Sequence, residues 1–207
     1  MERMPAISLA AVPGRRSATL DLAVEIEKKG FTGIYCPSLG DSMALSQAIA
    51  LVTKEILFGT SIMPIYFRHL FDHASSASFV HEISKGRFRF GIGVSHGPAL
   101  KAKGLEGGNP LSDIRSFVSE LKEAPRVGEL PPIILAPMRK KMIALAGEIG
   151  NGLVFANAAI SHMQDSLVVL SASTSTDLEL RISLMSLASF LWKVFLWLLN
   201  EIESMRL

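Results

Sequence analysis

Short apolar runs alternate with helix-like segments from residue 6 to residue 170 of the chain. A run that is apolar at nearly every position is typical of a strand buried on both faces, whereas apolar residues at three- to four-residue spacing are typical of a helix. The predicted strands span residues 6–12, 33–36, 56–62, 87–94, 133–136 and 153–156. The predicted helices span residues 19–29, 44–52, 72–83, 111–121 and 140–149. This alternation predicts an α/β protein with six parallel strand-helix units.

Such a series of units either closes into a (β/α)8 barrel or forms an open, doubly wound sheet. The doubly wound alternative lacks its dinucleotide fingerprint, because Gly91-Ile92-Gly93 follows the fourth strand and His96 stands in place of the third glycine. A (β/α)8 barrel has eight units, whereas the sequence predicts six, so the predicted barrel is incomplete. In a parallel α/β protein the reactive groups lie at the carboxyl ends of the strands, and these loops are the candidate site.

Composition narrows the class of protein. The 207 residues are 49% hydrophobic and 19% charged, with a mean hydropathy of +0.35, which excludes an intrinsically disordered chain. The net charge of +2 is too small, and the charges are too scattered, for a face that binds the phosphate backbone of a nucleic acid, so no nucleic-acid partner is expected. Cys36 is the single cysteine, which rules out an intrachain disulfide and a CxxC metal site. Residues 6–12 are followed by Pro13-Gly14-Arg15-Arg16 in place of the small-residue cleavage site of a signal peptide, so we expect a cytoplasmic protein. We also expect no metal centre.

Four stretches carry a resemblance to one enzyme family. They are AVEIEKKGFTG at 23–33, TKEILFGTSIMPIYFRH at 53–69, ISKGRFRFGIGVSHGP at 83–98 and MIALAGEIGNGLVFAN at 142–157. On these stretches the chain resembles the luciferase-like monooxygenases, the flavin- and deazaflavin-dependent family that includes bacterial luciferase and methylenetetrahydromethanopterin reductase. The resemblance covers roughly residues 6–165, and SKGRFRFGIG is its most specific block. It implies a (β/α)8 barrel of the TIM-barrel type and oxidoreductase or monooxygenase chemistry on a small organic substrate.

The resemblance also implies where a coenzyme would bind. In relatives the third strand often ends in a bulge with a non-prolyl cis peptide that supports the central flavin ring, and here this place is Ser61-Ile62. After the fourth strand, the amides of Gly93 and Gly97 and the hydroxyl of Ser95 are able to donate hydrogen bonds to a coenzyme. An ordinary strand end and a simple turn remain the alternatives for these two places.

Two further strand ends carry candidate residues. His96 is the candidate general acid or hydrogen-bond partner of the coenzyme ring, and the alternative is an exposed loop histidine without a role. After the fifth strand, Ala136 begins a loop that in relatives reads like Ala-x-Gly-Pro-Lys-Met, and here Arg139 replaces the glycine. Cations at the start of the next helix are repelled by the positive end of the helix dipole, and a bound anion would relieve this repulsion. A basic helix start that is simply solvated is the alternative. Asn157 is expected to cap the helix after the sixth strand.

The expected coenzyme is the deazaflavin F-420 (8-hydroxy-5-deazaflavin), with FMN as the alternative. FMN-binding relatives carry an arginine directly after the Gly-x-Gly-like element of the fourth strand, and here that residue is Val94. The other histidines of this region, His69, His73 and His81, are expected to be structural or on the surface.

Beyond the resemblance, the chain changes in character. We divide it into a partial barrel domain at 1–170, a linker at 171–176 (SASTST) and an apolar helical tail at 177–207. Between residues 182 and 200 the only charge is Lys193, so contact with a membrane is an alternative to packing of the tail within the chain or against a second copy. We expect a homo-oligomer. Two functions compete: a coenzyme-dependent enzyme, and a truncated, non-catalytic relative that binds a partner or self-associates through its open barrel edge.

Overall fold

A computed structural model describes residues 4–154, which form a parallel sheet and the helices that cover it. The strands are β1 (Ile7–Ser8), β2 (Gly33–Cys36), β3 (Leu57–Thr60), β4 (Met63–Pro64), β5 (Phe88–Gly93), β6 (Ile133–Leu135) and β7 (Gly152–Leu153). The helices are α1 (Arg16–Lys28), α2 (Ser42–Val52), α3 (Leu70–Ile83), α4 (Gly97–Lys101), α5 (Pro110–Glu123) and α6 (Lys140–Ile149), and a 3-10 turn covers Ile65–Phe67.

The strands follow one another across the sheet in chain order. The order is β1-β2-β3-β5-β6-β7, with β4 also paired to β5, and the pairings are parallel. A doubly wound sheet would change direction at a switch point, whereas sequential parallel strands are the arrangement of a barrel wall. Five helices pack in the same order, α1 on α2, α2 on α3, α3 on α5 and α5 on α6.

The sheet separates two apolar layers. The larger layer lies between the sheet and the helices, and in β5 it receives Phe88, Phe90 and Ile92. The smaller layer lies on the other face, and it contains the buried residues Ala6, Tyr35, Ile134 and Val154. Strand side chains alternate between faces, so Gly91 and Gly93 belong to the inner face of β5.

Arg87 holds together the edge at which the strands begin. Its guanidinium donates five hydrogen bonds of 2.9–3.1 Å, and it lies over the ring of Phe58 with 5.2 Å between the guanidinium carbon and the ring centroid. The acceptors are the carbonyls of Ala50, Thr53, Ile56 and Ser84 and the hydroxyl of Thr53. Arg87, the first of two arginines in the most family-specific block, therefore stabilises the framework at the end of the strands away from the candidate site.

The structure confirms the six predicted strand positions and changes several boundaries. The predicted strand 56–62 consists of β3 and β4, with a short interruption at Ser61-Ile62. α2 begins at Ser42, ahead of the predicted Ala44, because Asp41 caps it by accepting from the amides of Met43 and Ala44. α4 was not predicted, since its five residues are too few to show a helical period.

Residues 155–207 lie outside the described residues, and with them Asn157, the linker at 171–176 and the tail at 177–207. Within residues 4–154, no helix is long and apolar enough to cross a membrane.

Candidate functional site

Three of the residues predicted to bind a coenzyme meet beside the carboxyl ends of β3, β5 and β6. They are Ile62, Gly93 and Ala136, which we call the apolar cluster. A Cβ atom placed on Gly93 would lie 2.7 Å from Cδ1 of Ile62 and 3.4 Å from Cβ of Ala136. The missing side chain of Gly93 therefore leaves the space in which the other two side chains approach each other.

The junction between β3 and β4 is anchored in the sheet. The Ser61 amide donates a 2.7 Å hydrogen bond to the Cys36 carbonyl at the end of β2, and β4 pairs with β5 so that Pro64 lies opposite Gly93. The peptide bond between Ser61 and Ile62 is cis, as the resemblance implies. Both residues are partly exposed.

A cavity of about 820 Å³ adjoins the apolar cluster and shares Ala136 with it. Its other walls are the end of β5, the start of α5, and the loop that leads from β6 into α6. The lining residues are Val94, Ser95, Asn109, Pro110, Leu111, Ala136, Met138, Arg139, Lys140, Lys141 and Met142. Among the predicted site residues, Ser95, Ala136 and Arg139 are thus brought into one cavity of a size common for small-molecule sites.

The wall formed by the start of α6 is basic. Arg139 is the N-cap residue, its side chain makes no capping hydrogen bond, and the first turn contains no acidic residue. The amides at a helix start carry partial positive charge, to which Arg139, Lys140 and Lys141 add full charges. α2 and α5 differ, because Asp41 and Asn109 cap them. No acidic side chain of the described residues lines the cavity, so its field favours an anionic group such as a phosphate.

The predicted residues His96 and Gly97 come directly after the cavity-lining Ser95 and are not part of the cavity wall. Ser95 leaves β5 with a φ of +61°, and the chain then turns into α4. His96 is exposed at the N-cap of α4, where its side chain makes no capping hydrogen bond. A Cβ on Gly97 would meet nothing within 4 Å, so no close contact of the described residues requires a glycine there.

Comparison with known proteins identifies the family. The model of the luciferase-like monooxygenases matches residues 5–127. The chain belongs to this family. Among curated proteins, the 5,10-methylenetetrahydromethanopterin reductase of Methanolobus tindarius is 26% identical over 163 residues, which cover 67% of this chain and 49% of the reductase.

Solved structures confirm the barrel-type fold of this luciferase-like chain. The coenzyme F-420-dependent tetrahydromethanopterin reductase of Methanopyrus kandleri has a TM-score of 0.66 at 18% identity, over 82% of this chain and 60% of the other. The oxygenating constituent of 3,6-diketocamphane monooxygenase from Pseudomonas putida, solved with FMN, has a TM-score of 0.64 at 18% identity, over 81% and 62%. The chain spans about half the length of the curated reductase and about three fifths of these solved chains.

The three other histidines of the luciferase-like segment have structural places, as expected. His69 caps α3, its Nδ1 accepting from the Phe71 amide at 3.2 Å, and His73 is fully buried in the core. His81 lies mostly buried near the end of α3, with its Nε2 3.9 Å from a Glu129 carboxylate oxygen. Within residues 4–154, no three or more His, Cys, Asp or Glu side chains are grouped so that they could hold a metal ion.

One pair beside the cavity was missed by the sequence analysis. The Tyr66 hydroxyl donates to the Asp113 carboxylate at 2.6 Å, and Asp113 lies in the first turn of α5, next to the cavity wall. The two residues are 47 positions apart, so no local pattern connects them. The available signal was their placement, since Tyr66 follows the predicted third strand and Asp113 lies at the start of the helix after the fourth strand.

Proposed function

We propose that the chain is an oxidoreductase of the luciferase-like class that binds the deazaflavin coenzyme F-420, with FMN as the alternative, and acts on a small organic substrate. The observation that carries the proposal is the cavity at the ends of β5 and β6. It joins an apolar cluster, suited to a flat ring system, to a basic helix start, suited to a phosphate.

The residues present fit such a coenzyme. Ile62 and Ala136 would contact the ring, the Ser95 hydroxyl would donate to a polar atom of the coenzyme, and Arg139 and Lys141 would hold the phosphate. The coenzyme, when bound, supplies the hydride or oxygen chemistry, while the protein binds and orients it and excludes water.

The placement is tested by charge reversal in the cavity wall. Arg139→Glu should weaken the binding of F-420 at least about tenfold, because a charge-assisted contact to phosphate is replaced by repulsion. Arg126→Glu is the matched control, since Arg126 is an exposed cation in the loop that precedes β6, at the far end of that strand. Equal affinities in titrations of the wild type and Arg139→Glu would show that this wall does not hold the coenzyme.

The choice between coenzymes is tested at Val94, which lines the cavity. F-420 should bind more tightly than FMN in side-by-side calorimetry, because this chain lacks the arginine that FMN-binding relatives carry at that place. Val94→Arg should raise the affinity for FMN about tenfold or more, which is the effect of a gained bidentate contact. Tighter binding of FMN by the wild type would reverse the assignment.

His96 is the proposed proton donor at the outer edge of the site. Its exposure and its place one residue beyond Ser95 allow it to reach a substrate that lies over the coenzyme. His96→Gln should lower kcat and leave the Kd of the coenzyme unchanged. A loss confined to coenzyme binding would instead make His96 a binding residue.

The alternative is a truncated relative without catalytic activity. Purified protein that shows no flavin or deazaflavin absorbance, and no binding of either coenzyme on titration, would favour it.

Location and assembly complete the proposal: a cytoplasmic protein that forms a homo-oligomer. Cys36 is free and fully buried, and a chain without an intrachain disulfide fits a reducing compartment. Cell fractionation and light scattering test these two points.

A further inference from the structure

Tyr66 connects two segments that meet beside the cavity. It lies in the 3-10 turn after β4, and its hydroxyl donates to Oδ2 of Asp113 at 2.6 Å. The same hydroxyl accepts a hydrogen bond from the Gly108 amide at 3.3 Å. The Tyr66 side chain thus connects the turn after β4 with the first turn of α5 and with the loop at residues 102–109.

The loop packs directly on this pair. A Cβ on Gly108 would lie 2.5 Å from Oδ2 of Asp113, and a Cβ on Gly107 would lie 2.9 Å from Cδ1 of Leu100 and 3.4 Å from the Tyr66 ring. Side chains at these two positions would push the loop outward, so the glycines permit the close approach. Leu100 is buried and belongs to α4, the helix that begins immediately after His96.

The loop leads into a wall of the cavity. It ends at Asn109, which caps α5 and lines the cavity together with Pro110 and Leu111. Any outward movement of the loop therefore displaces this wall. Movement of the loop also removes the cover from Leu100 and so frees α4.

We propose that Tyr66 is a positioning residue that, with Asp113, latches the loop at residues 102–109 and so sets the Asn109–Leu111 wall of the cavity and the helix that begins after His96. The inference rests on the proposed function only for the identity of the ligand in the cavity. Burial and the hydrogen bond to Asp113 raise the pKa of Tyr66 to about 12, so the latch keeps one protonation state at ordinary pH.

Limited proteolysis without any ligand tests the latch. Lys101 and Lys103 are exposed at the start of the loop and offer trypsin two cleavage sites there. Tyr66→Phe should increase the rate of cleavage after these lysines about tenfold, because the loop loses the hydrogen bond from the Gly108 amide to the hydroxyl, and Asp113 beneath it loses its partner. Cleavage after Arg126, in a different loop, should keep its rate.

Two variants sharpen this assay. Ser119→Ala is the matched control, because the Ser119 hydroxyl donates to the Glu123 carboxylate at 3.5 Å, further along α5 and away from the loop. Asp113→Asn keeps an acceptor for Tyr66 and should give an intermediate rate. The latch is disproved if Tyr66→Phe leaves the rate at Lys101 and Lys103 unchanged, or if it accelerates cleavage after Arg126 equally, which would indicate general destabilisation.

Binding kinetics then separate the latch from the proposed function. With F-420 and FMN as probes, Tyr66→Phe should increase the dissociation rate about tenfold, and bound coenzyme should slow cleavage at Lys101 and Lys103 in the wild type. If the wild type binds neither coenzyme, the proposed function fails while the proteolysis still decides the latch. If the wild type binds and Tyr66→Phe has the same dissociation rate, Tyr66 does not position the site.

Discussion

Gly91 and Gly93 stand two residues apart in β5, and the space around each is different. A Cβ on Gly91 would overlap the Thr60 carbonyl oxygen and lie 2.9 Å from its carbonyl carbon, and these backbone atoms cannot move without moving β3. The atom closest to a Cβ on Gly93 is the end of the flexible Ile62 side chain. The first glycine therefore serves the fold, and the second leaves room for the Ile62 side chain at the place proposed for the coenzyme ring.

This difference predicts opposite results for two alanine substitutions. Gly91→Ala should lower the free energy of unfolding by about 3 kcal/mol or more, because backbone must be displaced. Gly93→Ala should cost less than about 1 kcal/mol, since a side chain can move aside, yet it should weaken coenzyme binding. Urea denaturation and coenzyme titration measure the two effects. A Gly91→Ala variant as stable as the wild type would contradict the close approach of β3 and β5 at this position.

His73 is buried among aromatic side chains, where its protonated form is destabilised. It is fully buried in α3, with its ring centroid 5.2 Å from that of Phe117 and 6.0 Å from that of Phe90. Neither ring nitrogen has a hydrogen-bond partner of standard geometry among the described residues. Burial lowers the pKa of His73 to about 4, and a smaller effect of the Ile65 backbone opposes the shift.

A pH-dependent stability follows from this shift. Between pH 6.5 and pH 4 the histidine is protonated in the unfolded chain, where its pKa is about 6.5, but stays neutral in the folded chain. The free energy of unfolding is therefore highest above about pH 6.5 and decreases as the pH falls to about 4. The decrease should be about 3 kcal/mol, since one pKa unit corresponds to about 1.4 kcal/mol. Comparing His73→Leu with the wild type at each pH isolates this contribution from other titrating groups. His69→Gln, which changes a histidine at an exposed cap, should keep the dependence, and a His73→Leu variant with the wild-type slope would refute the assignment.

Among the secondary-structure elements, α2, β3 and β5 are joined by Arg87. Arg87→Lys should lower the free energy of unfolding by about 2–4 kcal/mol, because an ammonium group cannot reproduce five hydrogen bonds in a planar fork. Arg115→Lys is the control of the same chemistry, since Arg115 forms a two-pronged pair with Glu148 on the exposed surfaces of α5 and α6. Its melting temperature should change little. Similar shifts in both variants would show that Arg87 is not a framework residue.

The bounds of the helices and strands show which features of the fold can be predicted from the sequence. Where apolar periodicity and a turn signal coincide, as at 33–36 and 140–149, the predicted bounds are those of the structure. Where a cap lies outside the apolar pattern, as at Asp41, the helix starts earlier than predicted. The third strand appeared continuous, because the residues around its interruption at Ser61-Ile62 are as apolar as the strand itself.

The candidate site was predictable only where neighbouring strands end side by side. Ser95, Ala136 and Arg139 share a cavity because β5 and β6 are neighbours, which the strand order implies. The exposure of His96 depends on the path of α4, which has no sequence period. The Tyr66–Asp113 pair depends on side-chain packing over 47 residues and required the structure.

At the scale of the whole molecule, the outer strands of the sheet are the feature that most needs a partner. Within residues 4–154, β1 and β7 are the two outer strands, and each is paired on one side only. An unpaired strand edge is a place where proteins associate or aggregate unless another segment covers it. The sequence offers apolar material for this purpose in residues 178–199, which lie outside the described residues.

The pattern of that segment predicts that it contributes to stability and solubility. Its residues Leu184, Leu187, Leu191, Phe195 and Leu198 recur at three- to four-residue spacing, as on the apolar face of a docking helix. Deleting residues 177–207 should therefore reduce solubility and lower the melting temperature by about 2 °C or more, the effect of losing roughly 1 kcal/mol or more in a domain of this size. Deleting only residues 203–207, which include Glu203 and Arg206, should change neither property. Light scattering and calorimetry on the two deletion variants decide the matter, because a longer deletion that stays monomeric, soluble and equally stable would mean that the strand edges need no cover from this segment.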